Sequence, residues 1–139
     1  VQHLLDTKGR DVISIHRDAS VFDAIKLMAD HAVGSLLVMD GDALIGIVTE
    51  RDYARKVILK GRSSEETPVG DIMTSQVITA KPQQSVRECM GLMSSRRVRH
   101  LPVVVDDGVI GIISIGDLVQ AIIADQQEEI EQLEQYISG

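Results

Sequence analysis

The spacing of apolar and polar residues predicts a short strand followed by a helix at two places in the chain. The strands are residues 12–15 (VISI) and 77–80 (VITA). After each strand, Ser20 or Ser85 precedes a segment whose apolar residues recur at i, i+3, i+4 and i+7, the spacing of one helix face. A serine in this position is a typical helix N-cap.

A hairpin and a second helix complete each series. The hairpin strands are residues 35–39 and 44–49 in the first series, and residues 101–105 and 109–114 in the second. The acidic residues between them, in DGD (40–42) and DDG (106–108), fit hairpin turns better than a metal site. Closing helices are predicted over about 51–60 and 116–124. The order is therefore β-α-β-β-α, twice.

The two series are copies of one unit. At a constant offset of 65 residues, 15 of the 47 positions in 77–123 are identical to those in 12–58, without a gap. A fixed internal period of this kind indicates a duplicated structural unit. Residues 61–70 (GRSSEETPVG) are polar and contain Gly and Pro, which predicts a linker between the copies.

We expect an α+β fold of two tandem β-α-β-β-α domains packed with pseudo-twofold symmetry. The strands are continuously apolar, so both faces of each sheet should be covered. A unit of about 60 residues buries little surface alone, whereas two packed copies bury more and leave a cleft between them, where ligand sites tend to lie. The predicted domains are residues 1–66 and 67–127, followed by an acidic helical extension over 128–139.

Composition and charge narrow the function classes. The chain has one Phe, two Tyr and no Trp, which argues against a stacking platform for single-stranded nucleic acid. Five of the 21 acidic residues lie in 125–139, where there is no Lys or Arg, which leaves 16 acidic and 14 basic residues elsewhere. A basic pocket is compatible with that balance, but duplex DNA and anionic membranes are poor partners for it.

The single cysteine and the hydropathy bear on the compartment. Cys89 falls on the apolar face of its predicted helix, so we expect a core residue and no intramolecular disulfide. No apolar run approaches the ~20 residues of a membrane span, and no signal peptide is visible. We therefore expect a reducing compartment.

The last strand of each copy ends in the same chemical frame. GIVTERD (46–52) and GIISIGD (111–117) both place a hydroxyl residue three positions before an aspartate. Thr49 with Asp52, and Ser114 with Asp117, match the helix capping box, which is a purely structural explanation. A helix N-terminus also offers amides to a phosphate, and a carboxylate beside it can accept hydrogen bonds from ribose hydroxyls. Both explanations can hold, because the cap can form when no ligand is bound.

The repeated unit with this frame resembles the paired cystathionine-β-synthase (CBS) domain, or Bateman module. The segments that carry the resemblance are VQHLL (1–5), VGDIM (69–73), the two frames and RRVRHLPVV (96–104). They look closest to stand-alone two-copy proteins of bacteria and plant organelles, which have no attached enzyme. This likeness implies the bacterial cytoplasm or an organelle matrix as the compartment. The resemblance implies a regulatory module that binds AMP, ADP, ATP, NAD(H) or S-adenosylmethionine and signals to a partner protein.

The resemblance also implies the binding residues. Ribose and phosphate would be bound by the frames, which are Ser114, Ile115, Gly116 and Asp117 in the second copy, and Thr49 and Asp52 in the first. The exit of the first strand and the start of the second would flank the base and phosphates, at Thr79, Ala80, Lys81, Arg99, His100, Leu101 and Pro102.

The second copy is predicted to be the better site. Arg99 enters a strand there, and a guanidinium suits bidentate contact with phosphate. Arg96 and Arg97 also fit a helix end whose dipole they would offset. The first copy has its basic residues after the strand instead, at Arg51, Arg55 and Lys56. The first-copy site is then either empty, or its basic groups bind one dinucleotide that the second copy also contacts. NAD(H) is therefore as good a candidate ligand as AMP and ATP.

The acidic tail carries an apolar stripe. Ile123, Ile130 and Ile137 lie seven residues apart, with Leu133 between the last two. We expect this stripe either to pack on its own domain or to pair with a second copy in a homodimer, a state that the family commonly adopts.

Two further functions stay open. One is a non-catalytic dimerisation or interaction scaffold with vestigial ligand pockets, which the failure of every adenine nucleotide to bind would favour. The other is nucleic-acid binding through Arg96, Arg97 and Arg99, against which the charge and the scarcity of aromatics argue. The sequence contains no recognisable nucleophile with an adjacent base and no Gly-rich phosphate loop, so neither an enzyme nor a catalytic cofactor is expected.

Overall fold

The computed structural model describes residues 1–9, 12–106 and 108–138, so Asp107 of the second predicted turn lies outside the described residues. Its elements, in chain order, are α1 (Gln2–Lys8), β1 (Ser14–His16), α2 (Val21–His31), β2 (Ser35–Asp40), β3 (Ala43–Thr49), α3 (Glu50–Tyr53), a π-helix (Ala54–Ile58), a 3-10 turn (Val69–Asp71), α4 (Val86–Arg96), β4 (His100–Val105), β5 (Gly108–Ser114) and α5 (Ile115–Ser138).

Contacts divide the chain into two compact units, and each contains one repeat. Of the described residues, one unit holds 12–77, 106, 108 and 109, and the other holds 1–9, 78–105 and 110–138. The segment that leads into each repeat thus belongs to the other unit: residues 1–9 lie with the second repeat and residues 69–77 with the first. The predicted boundaries follow the repeat along the sequence and do not include this exchange.

The sheet of the first repeat has three strands in the order β1-β2-β3. β1 is parallel to β2, and β3 is antiparallel to β2 with a bulge between Val38 and Met39. In the second repeat β4 and β5 form a two-stranded sheet.

The predicted strand over 77–80 is wrong. Of these residues only Ala80 pairs, through a parallel bridge to Val103. In the first copy the Leu37 amide donates to Ile13 O at 3.2 Å, whereas Pro102, at the position equivalent to Leu37, has no N–H to donate to Ile78.

The predicted helix starts are confirmed. Ser20 Oγ accepts a hydrogen bond from the Asp23 amide at 3.1 Å, and Ser85 Oγ accepts one from the Glu88 amide at 3.0 Å. Both helices end at equivalent residues in the left-handed conformation, Ala32 with φ 53° and Arg97 with φ 57°.

Three other segments differ from the sequence-based expectation. The first closing helix is short and continues as a π-helix over Ala54–Ile58. The predicted linker 61–70 is ordered against the start of α2, where the Val21 amide donates to Thr67 O at 2.8 Å and the Phe22 amide to Ser64 O at 2.9 Å. The second closing helix, predicted over 116–124, joins the predicted helical extension without a break and ends at Ser138.

Each unit has its own aliphatic core. Its members are Val21, Ala24, Met28, Leu36, Val38, Val48, Val57, Val69 and Ile72 in the first, and Leu5, Ala80, Cys89, Met93, Leu101, Val103, Ile113 and Leu118 in the second. Cys89 is a core residue as predicted, and burial raises the pKa of its thiol, which keeps it neutral.

The leading segments pack on the glycine of each frame. A Cβ atom built on Gly111 would lie 2.7 Å from Leu5 Cδ2, and one on Gly46 would lie 2.6 Å from Met73 Sδ. Leu5 and Met73 hold the same place in VQHLL and VGDIM. The close approach of Leu5 and Met73 therefore requires glycine at positions 111 and 46.

The expectation that the tail packs on its own domain is wrong for the described residues. Residues 123–137 of α5 are exposed, because the helix leaves the second core after Leu118. Within the described part of the chain, no helix is long and apolar enough to cross a membrane.

Candidate functional site

The second frame forms a reciprocal turn at the junction of β5 and α5. The Ser114 amide donates to Asp117 Oδ2 at 2.8 Å, and the Asp117 amide donates to Ser114 Oγ at 3.2 Å. The first frame has the same geometry, with the Thr49 amide 3.0 Å from Asp52 Oδ2 and the Asp52 amide 3.1 Å from Thr49 Oγ1. The capping-box explanation of the repeated frame is therefore confirmed in both copies.

Backbone hydrogen bonds bring the predicted second-copy segments together. The Ile115 amide donates to Arg99 O at 2.9 Å, which joins the Ser114–Asp117 turn to the start of β4. The Ala80 amide donates to Pro102 O at 2.9 Å, which joins the exit at 79–81 to the same strand.

The side chains of these segments fall into two groups. Thr79, Lys81, Arg99 and Gly116 are exposed, and His100 is partly buried. Ala80, Leu101 and Pro102 are buried, and Ile115 packs against the second core. A ligand can therefore contact the side chains of Thr79, Lys81, Arg99 and His100, whereas Gly116 and the buried residues can offer only backbone atoms.

Lys8 belongs to this site, and the sequence-based interpretation missed it. Its ammonium lies 2.7 Å from Asp117 Oδ2 and donates to Ile112 O at 2.8 Å. It comes from α1, outside both repeats, so no repeat position or motif spacing pointed to it. Only the docking of α1 on the second repeat brings residues 8 and 117 together.

Asp117 is held as a carboxylate. Partial burial raises its pKa, but the Lys8 ammonium and the amide and hydroxyl of Ser114 outweigh this effect, so the net pKa is lower than the ordinary value. An ionised carboxylate has only acceptor capacity, which suits the hydroxyl pair of a ribose.

The acid of the first copy is more enclosed. The Asp52 side chain is 12% exposed, compared with 22% for Asp117. Its Oδ2 atom accepts from Thr49, while Oδ1 lies 3.2 Å from Lys56 Nζ and 3.4 Å from Thr74 Oγ1. Both oxygens of Asp52 thus already face protein donors. Arg51, also predicted for this site, is exposed on α3.

The described acids of the hairpin turns belong to no metal-binding group. Asp40 ends β2, and Gly41 follows with φ 61° in the turn. No group of three His, Cys, Asp or Glu side chains able to hold a metal occurs among residues 1–9, 12–106 and 108–138.

Comparison with known proteins identifies the repeat. The sequence profile of the CBS domain matches the chain twice, over residues 6–59 and 69–124. The chain is 49% identical over 127 residues to the mitochondrial CBS domain-containing protein CBSX3 of Arabidopsis thaliana. That match covers 88% of this chain and 62% of the relative, so the chain spans less than two thirds of the relative's length.

Solved structures share the fold over most of the chain. A protein with CBS domains from Burkholderia ambifaria MC40-6 has 53% identity and a TM-score of 0.87, covering 91% of this chain and 95% of that one. The CBS domain pair of protein MJ0100, solved in complex with 5′-methylthioadenosine and S-adenosyl-L-methionine, has 28% identity and a TM-score of 0.76. It covers 84% of this chain and 92% of that one.

Proposed function

Because this chain belongs to the CBS domain family, we propose that it is a non-catalytic regulatory protein that binds an adenine nucleotide at the Ser114–Asp117 turn. The ligand is AMP, ADP, ATP or NAD(H). The observation that carries the proposal is the carboxylate of Asp117, ionised and partly open at the N-terminus of α5.

The neighbouring groups support a nucleotide. Arg99 is exposed at the strand that the turn contacts, where a guanidinium can pair with phosphate. Exposed Thr79 and Lys81 flank the same strand through the Ala80 bridge. The two ligands of the MJ0100 domain pair both contain adenosine, which supports an adenosine moiety here as well.

We propose the second copy as the principal site. Asp117 is more exposed than Asp52, and the two oxygens of Asp52 are both engaged by protein donors. We further propose that the protein acts as a homodimer and passes ligand occupancy to a partner protein. The bacterial cytoplasm or an organelle matrix stays the predicted compartment.

A thermal-shift panel tests the proposal. The ligands are AMP, ADP, ATP, NAD⁺, NADH and S-adenosylmethionine, and the proteins are wild type and Asp117→Ala. A ligand at 100 times its Kd adds ~2.7 kcal/mol to the free energy of unfolding. For a chain of this size that is a rise in Tm of roughly 5–10 °C. Each variant is compared with its own ligand-free Tm, because Asp117→Ala also removes half of a capping box.

The matched control is Asp52→Ala, which removes the equivalent acid of the first copy. A shift that survives Asp52→Ala and disappears in Asp117→Ala supports the second-copy site. A shift abolished only by Asp52→Ala would move the site to the first copy.

An interaction scaffold with vestigial pockets is the second candidate function. The hydroxyl and the carboxylate of each frame bond to each other's backbone amides, and α5 exposes a long acidic face with an apolar stripe. The absence of a shift with all six compounds would favour the scaffold.

A further inference from the structure

Lys8 brings a cation to the Ser114–Asp117 turn. Its Nζ atom is held between Asp117 Oδ2 at 2.7 Å and Ile112 O at 2.8 Å. A lysine ammonium has three N–H donors, and these two acceptors take two of them. The side chain is 32% exposed, so the third donor has access to solvent or to a ligand.

The contacts to Asp117 leave one side of the carboxylate accessible. The bonds from Ser114 and Lys8 both fall on Oδ2, and among the described residues no hydrogen bond falls on Oδ1. A ribose hydroxyl can therefore bind Oδ1 while Lys8 keeps its place on Oδ2. Binding at this turn does not require the ion pair to break.

The ammonium of Lys8 neutralises the negative charge that Asp117 brings to the Ser114–Asp117 turn. Asp117 alone would repel a phosphate that arrives with the ribose, whereas the pair of Asp117 and Lys8 is neutral. The amides at the start of α5 then add a partial positive charge, and the ammonium can offer a direct hydrogen bond. The four-carbon stem of lysine lets the ammonium follow a phosphate over a short distance.

The first copy lacks this arrangement. The segment that leads into the second repeat offers Asp52 a neutral hydroxyl, Thr74 Oγ1, at 3.4 Å. The cation there is Lys56, which lies on the Oδ1 side of Asp52 and donates to Ile72 O at 2.8 Å. Its ammonium therefore occupies the side of the carboxylate that is open in the second copy.

We propose that Lys8 determines the specificity of the second-copy site, by favouring adenosine ligands that carry a phosphate over uncharged adenosine compounds. This inference rests on the proposed nucleotide binding at Asp117. In this proposal Lys8 of α1 recognises the negative charge of the phosphate, and Asp117 recognises the ribose.

The test compares AMP with adenosine, which differ only in the phosphate, by isothermal titration of wild type, Lys8→Met and Lys8→Gln. Methionine removes the charge at similar length, and glutamine retains an N–H donor for Asp117 without the charge. We expect both variants to bind AMP about tenfold or more weakly and to bind adenosine within about twofold of wild type. The preference for AMP should therefore collapse.

Two further variants make the result specific. Lys8→Arg keeps the charge and should retain most of the preference for AMP. Lys60→Met removes an exposed lysine of the other unit and should change neither affinity. Because methionine and glutamine are independent replacements, one folded variant of the two suffices for the comparison.

The outcomes separate the two proposals. If wild type binds AMP more tightly than adenosine, and Lys8→Met or Lys8→Gln keeps the same ratio, the role of Lys8 is wrong while nucleotide binding stands. If wild type binds neither compound nor any other adenine nucleotide, the proposed function fails, and the role of Lys8 fails with it.

Discussion

Leu5 lies directly against Gly111, so that a Cβ atom on this glycine would stand 2.7 Å from Leu5 Cδ2. Leu5 is fully buried, and it belongs to the segment that docks on the second repeat from the start of the chain. The equivalent contact in the other unit joins Met73 and Gly46. The glycine of each frame is thus where the exchanged segment meets its host strand.

We expect Gly111→Ala to lower the free energy of unfolding by about 1–3 kcal/mol, because the added methyl group overpacks a closed core. Urea unfolding measures this difference. In a Leu5→Val background, which removes the clashing carbon, the cost of Gly111→Ala should fall. Gly91→Ala is the control: nothing lies within 4 Å of its Cβ position in α4, so alanine should stabilise by about 0.5–1 kcal/mol. Equal costs at positions 91 and 111 would contradict the close approach.

The pKa of Asp117 predicts a loss of stability in acid. Folding lowers this pKa below its ordinary value of about 3.9, so the folded state binds the proton less readily than the unfolded chain. The stabilisation is fully present above that pH and is lost as the pH falls through the folded pKa. Urea unfolding between about pH 7 and pH 3 should show wild type more stable than Asp117→Asn, with the difference shrinking below about pH 4.

The control for this profile is Asp125→Asn, which changes an exposed aspartate of the same helix. Its profile should follow that of wild type. A difference between wild type and Asp117→Asn that stays constant across the pH range would mean that the carboxylate gains nothing from Lys8 and Ser114.

The repeat itself was readable from the sequence, since local signals such as Ser20, Ser85 and the two frames specify their own caps. The exchange of leading segments was not, because residues 1–9 and 69–77 show no local preference for either core. Lys8 could not be identified from the sequence for the same reason, because its partner Asp117 lies 109 residues away. The strand over 77–80 is lost because the neighbouring strand has Pro102 in place of the donor Leu37, a cause that the segment VITA does not itself contain.

The ends of α2 and α4 predict a gain in stability from glycine. Ala32 and Arg97 hold φ near 55° at equivalent positions, a conformation in which a Cβ atom is strained. We expect Ala32→Gly and Arg97→Gly each to raise the free energy of unfolding by up to about 1 kcal/mol, after the greater chain entropy of glycine is subtracted. Urea unfolding is again the measurement.

Arg96→Gly provides the neighbouring control. Residue 96 is the last residue of α4, so glycine there should destabilise by up to about 1 kcal/mol. If glycine at position 96 and glycine at position 97 change the free energy of unfolding in the same direction, strain in the left-handed conformation does not explain the effect.

The exposed half of α5 predicts self-association. Ile130 is 48% exposed and Ile137 is 81% exposed, and they align with Ile123 and Leu133 on one face. A helical segment of this length is marginal in water without packing, and its C-terminal acids do not offset the dipole. Ile123, Ile130 and Ile137 take the a positions of a heptad, and Leu133 takes a d position. Isoleucine at a with leucine at d favours a two-stranded coiled coil, so we expect a dimer through this stripe.

Light scattering after size exclusion, over a range of concentrations, tests this expectation. Wild type should have twice the mass of one chain, and Ile130→Glu with Leu133→Glu should shift it towards the monomer and lower its helical content. Glu128→Gln, on the opposite face, should stay dimeric. Because Glu129 and Glu134 flank the stripe and repel across the pair, association should strengthen with added salt. A doubly substituted chain that stays dimeric and fully helical would place the dimer contact on another surface and leave the tail stable without a partner.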